Sequence, residues 1–110
     1  MPQSQFDTET RGAPREQTDI QSQIWGTTLA PTPARIVNIS PQGCMIRCDE
    51  MMPMGEHLTL ELPQLGAMRA TVMWSLSGRL GVQFDTPITV DNYLDLLDSL
   101  ESTPEGPRLI

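Results

Sequence analysis

Apolar and polar residues alternate with a period of two in short runs separated by turn formers, and this restricts the chain to an antiparallel β architecture. Thr18, Ile20, Ser22 and Ile24 alternate with Asp19, Gln21, Gln23 and Trp25 in a run that ends near Gly26, as a half-buried strand requires. Residues 34–39 form a second run. Past a turn-rich stretch at 38–43, Cys44, Ile46 and Cys48 fall on one face of a third strand, and Met45 and Arg47 on the other. Leu58, Leu60 and Leu62 alternate with Thr59 and Glu61, and Met68, Ala70, Val72 and Trp74 with Arg69 and Thr71. A turn at 75–78 leads into Leu80, Val82 and Phe84.

Pro87 ends this pattern. Val90, Tyr93, Leu94, Leu97 and Leu100 then recur at helical spacing, with Thr89 or Asp91 available as a cap. The fold class predicted is mainly all-β: six antiparallel strands closed into a small barrel, then one C-terminal amphipathic helix. Closure removes sheet edges that would otherwise invite aggregation. A two-sheet sandwich is the alternative that six alternating runs leave open.

At 110 residues the chain has room for one core. Residues 1–17 hold one large apolar side chain, Phe6, and cannot offset their ordering entropy, so a flexible arm is expected there. The barrel and helix are assigned to 18–101, and the Pro- and Gly-containing tail at 102–110 is expected to fray.

Fourteen acidic residues against seven Arg and no Lys give a formal charge of −7. Such a surface repels polyanions, so neither DNA nor RNA is an expected partner. A small dianion remains possible where a few Arg converge on it, since a screened net field fades beyond roughly 8 Å. The start of the chain lacks the apolar core of a signal peptide and no run approaches a membrane span. The expectation is a cytoplasmic protein without membrane insertion, in which Cys44 and Cys48 are free thiols.

Chemistry-bearing clusters are few. Cys44, Cys48 and His57 give three metal ligands without the usual close pairs, so no metal is expected. One His, no paired catalytic acids and no phosphate loop argue against an enzyme, and no cofactor is implied. Met51, Met52 and Met54 share one loop, read as folding back on the barrel or as an adaptable contact surface. Asp91, Asp95, Asp98 and Glu101 read as a solvated helix face.

Two short motifs stand apart: Arg11-Gly12-Ala13-Pro14-Arg15 in the arm, and Asn38-Ile39-Ser40-Pro41-Gln42-Gly43 between two strands. Guanidinium forks bond the Hoogsteen acceptors of guanine or a phosphate, and Arg can stack on a purine. The Asn38 amide and Ser40 hydroxyl each donate and accept. Gly43 can take φ > 0 in a turn or admit a close backbone approach.

The order and spacing of RxxxR and (D/N)xSxxG resemble the signature of the PilZ domain family, whose ligand is the bacterial second messenger cyclic di-GMP. The resemblance extends over the barrel, including the last hairpin from Trp74 to Phe84. It implies a PilZ-like split barrel and ligand-binding roles for Arg11, Arg15, Asn38, Ser40 and Gly43. It also implies an arm that wraps the ligand, and a protein partner in motility, secretion or polysaccharide machinery. The alternative is a degenerate PilZ-like adaptor that does not bind cyclic di-GMP and acts through protein contacts. A small-barrel nucleic-acid binder is a third class, opposed by the acidic surface.

Overall fold

The computed structural model describes residues 15–101. Its strands are β1 (Glu16–Gly26), β2 (Leu29–Ser40), β3 (Gly43–Arg47), β4 (His57–Leu62), β5 (Gly66–Leu76) and β6 (Arg79–Phe84), followed by helix α1 (Val90–Glu101). They form a closed antiparallel barrel in the order β1-β2-β3-β6-β5-β4. The far end of β1 shuts it, pairing Ile24 with Leu60 and Trp25 with Thr59. The expected alternation holds: Ile24, Ile36, Ile46, Leu60, Val72 and Leu80 are all fully buried on the inner face. Ser77 (φ 50°) and Gly78 (φ 79°) join β5 to β6. Two positive φ values in a two-residue loop match the right-handed twist of the strands they connect.

Three boundaries differ from the sequence reading. β1 begins at Glu16, two residues before Thr18, because Glu16 and Gln17 pair with Ile39 and Asn38. β2 begins at Leu29, not at residue 34, despite Pro31 and Pro33. The ladder between β2 and β3 stops at Arg35 opposite Arg47, so these prolines lie where β2 has a free edge and a missing N–H breaks no ladder bond. The turn between β2 and β3 shrinks to Pro41 and Gln42, with Ser40 opposite Gly43. The arm and tail expected at 1–17 and 102–110 fall almost wholly outside the described residues.

Trp74 does not share the inner face with Ala70 and Val72. Val72 pairs with Val82 and the next pair is Trp74 with Gly81, so Met73 is an extra residue and β5 bulges. The bulge reverses the phase of the strand. Trp74 emerges on the outer face, 42% exposed, and lies against Gly81, where a Cβ would collide with its indole ring.

The helix starts where Thr89 Oγ1 accepts the Asn92 N–H at 3.2 Å, an N-cap. Its inner face is Tyr93 and Leu96, flanked by Leu97 and Leu100, whereas Val90 and Leu94 are exposed. The Tyr93 hydroxyl, buried, donates to the Ile39 carbonyl at 3.1 Å. Tyr93→Phe would leave that carbonyl without its partner, and we expect a loss of about 1–2 kcal/mol in urea denaturation with little change in slope.

Cys44 and Cys48 are free and buried. Burial pushes the Cys44 thiol from 9.0 up to about 12, against a smaller opposing pull from the Arg15 charge. The folded protein therefore holds this proton where the unfolded chain releases it. Stability attributable to Cys44 is full below pH 9 and falls between pH 9 and 12. A thiol reagent at pH 8 should label Cys44 only as fast as the barrel opens, and labelling at the rate of a free thiol would contradict this burial.

Candidate functional site

A second bulge builds the site. In β2, Ile36 pairs with Ile46 and the next pair is Asn38 with Met45, so Val37 is the extra residue. Strict alternation would send Asn38 into the core behind Ile36. The bulge instead lets Ile36 and Ile39 both point inward, fully buried, and turns Asn38 and Ser40 to the outer face. A matching irregularity in β1 between Gln17 and Ile20 keeps the strands in step, with the Thr18 hydroxyl donating to the Ile36 carbonyl at 2.8 Å.

The two motifs meet there. Arg15 Nη1 donates to Asn38 Oδ1 at 3.0 Å across 23 residues of sequence. Arg15 is exposed while Asn38 is 8% exposed, so the guanidinium lies over the amide with its other N–H groups available. The remaining Asn38 donor, Nδ2, makes only a weak contact with Met45 Sδ at 3.9 Å. The Ser40 hydroxyl accepts the Gln42 N–H at 3.3 Å and donates to Gln42 Oε1 at 3.4 Å, both long bonds. Arg11 lies outside the described residues.

Gly43 has a different role from a positive-φ turn residue. The described glycines at positive φ are Gly55, Gly66 and Gly78. A Cβ on Gly43 would overlap the Val82 carbonyl oxygen and approach Gln83 Cα to 3.1 Å, so this glycine is required by the contact between β3 and β6. The turn is fixed from the same side: the Phe84 N–H donates to the Gln42 carbonyl and the Ile88 N–H to the Pro41 carbonyl, each at 2.8 Å.

The site is electrostatically tied to the helix. Burial raises the Tyr93 phenol above its ordinary value, with Glu16 adding to the rise and Arg15 opposing it. Arg15, bonded to Asn38 on β2, thus also acts on a residue of α1, a link the sequence did not signal. Elsewhere, Thr71 donates to Asp85 at 3.0 Å and its hydroxyl lies 3.1 Å from His57 Nδ1. Among the described residues no group of three or more His, Cys, Asp or Glu is placed to hold a metal.

The family model for the PilZ domain matches residues 10–102, a span containing both motifs, all six strands and the helix. The chain belongs to the PilZ domain family. None of the curated proteins compared with it matches. PilZ domains are cyclic di-GMP-associated binding and adaptor modules rather than enzymes. No helix among the described residues of this PilZ domain is long and apolar enough to cross a membrane.

Proposed function

We propose that this PilZ domain is a cytoplasmic cyclic di-GMP receptor and adaptor in bacterial second-messenger signalling, with Arg11, Arg15, Asn38, Ser40 and Gly43 as its ligand site. The observation that carries this reading is the Arg15–Asn38 bond, which joins the two halves of the motif. A guanidinium held by one N–H keeps others for a guanine Hoogsteen edge or a phosphate, and a side chain already held to the hairpin loses less freedom on binding. Ser40 adds a hydroxyl held only by long bonds, ready to exchange them for a ligand group. Gly43 serves the site by letting the hairpin seat against β6.

Binding draws the arm that carries Arg11 across the outer face, and the hairpin passes the change onward. The Ile39 and Pro41 carbonyls hold Tyr93 and Ile88, so strain at the turn reaches α1 directly. No chemical step is involved. Calorimetric titration with cyclic di-GMP, with GMP as control, is expected to give micromolar or tighter binding of the cyclic dinucleotide alone. No heat and no thermal shift at about 100 μM ligand would overturn the receptor reading and leave the adaptor that works without nucleotide.

A further inference from the structure

Three of the seven cationic side chains in this acidic protein stand in one row. Arg35 on β2 is directly opposite Arg47 on β3, and Arg47 is directly opposite Arg79 on β6. Opposed residues in adjacent strands share a face with Cβ atoms about 5 Å apart, and like charges so placed destabilise a sheet. Folding alone gives no reason for the row. Arg35 is neutralised by Asp19 at 2.5 Å, but Arg47 and Arg79 have no acidic partner within 4.0 Å among the described residues. All three line an open groove of about 980 Å³, with Asp49 the acidic residue among its lining.

The row does not end in polar surface. Arg79 is paired with Leu76, 68% exposed, and two register steps away the bulge at Met73 sets Trp74 outward. Met51 and Met54, 81% and 75% exposed, complete a second groove of about 540 Å³ with Met73 and Trp74. A monomer seldom leaves large apolar side chains contiguous without use, and Met surfaces adapt to varied partners. Arg47 and Arg79 thus stand at the end of β3 remote from Gly43, some 13 Å along the strand from it, and Arg79 is two residues along β6 from Gly81, against which the Trp74 wall of the apolar groove lies.

We propose that this face docks an acidic protein segment, whose carboxylates pair with Arg47 and Arg79 while a large apolar side chain enters the groove formed by Met51, Met54, Met73 and Trp74. Charge selects the occupant. A net charge of −7 disfavours nucleic acid and anionic lipid over any extended contact, whereas a short acidic segment meets only the local row. A free inorganic anion would leave the apolar groove unfilled. The inference takes up the partner-binding half of the function proposed above and rests on it.

The test is fluorescence anisotropy of a labelled octapeptide alternating Asp and Leu, titrated with the full chain without nucleotide, so its failure and that of nucleotide binding are separable. We expect saturable binding, loss of it when Asn replaces Asp in the peptide, weakening of about tenfold in Arg47→Glu and a smaller weakening in Met54→Ser. Arg47→Glu places opposite charges across both ladders, so its melting temperature should equal or exceed that of the wild type. No binding at about 1 mM peptide, equal binding by Arg47→Glu, or capture by phosphatidylglycerol vesicles without peptide binding would each overturn the proposal.

Discussion

Gly43→Ala is expected to destabilise the barrel by about 3 kcal/mol or more, among the larger effects of any single methyl group in this protein. The new Cβ meets backbone, the Val82 carbonyl and Gln83 Cα, and neither can rotate away. Relief requires β3 to part from β6, which would break the ladder from Gly43–Gln83 toward Arg47–Arg79. It would also disturb the turn bonds from Phe84 and Ile88. For a domain of this size the fall in melting temperature should exceed about 10 °C. Gly81→Ala is the matched control. There the obstacle is the partly exposed Trp74 ring, which can swing outward, so a cost near 1 kcal/mol is expected. Equal melting temperatures for the two variants would show that the β3–β6 approach is not the constraint at Gly43. A Gly43 variant that loses ligand would therefore say little about direct contact.

Arg15→Ala separates binding from folding in the opposite sense. The side chain is exposed and its one described hydrogen bond, to the buried Asn38, is part-buried, so water can reach Oδ1 once the guanidinium is gone and stability should fall by no more than about 1 kcal/mol. Loss of the guanidinium removes a charge-assisted contact to phosphate or guanine worth about 1–3 kcal/mol, a fall in cyclic di-GMP affinity of roughly five- to hundredfold. Arg15→Lys should recover little of it, because an ammonium lacks the planar fork. Unaltered affinity in Arg15→Ala, measured by calorimetry, would remove Arg15 from the site.

The strands were legible because burial on one face imposes alternation on the sequence, and Ile20, Leu60 and Val82 all fall where alternation puts them. Bulges were not, because they add one residue without changing composition. Asn38 and Trp74 both continue an apparently regular run, and only the pairing across to Met45 and Gly81 shows that the phase has flipped. Spacing likewise hid the true helix face: Val90 and Leu94 fit a helical stripe, yet Leu96 is the fully buried residue. The two motifs are visible in the sequence as patterns, but the Arg15–Asn38 contact and the packing role of Gly43 depend on long-range register. The row of Arg35, Arg47 and Arg79 has the same origin, since no local window contains two neighbouring strands.

The proposed ligand site is tested by titrating ¹⁵N-labelled protein with cyclic di-GMP and reading amide shifts along the chain. Saturable changes are expected to centre on Arg15, Asn38, Ser40 and Gly43 and to extend to Ile88 and Tyr93 through the turn carbonyls, with Arg47 and Arg79 unaffected. Saturable shifts confined to the arginine row, or none at ligand concentrations of about 1 mM, would contradict this expectation.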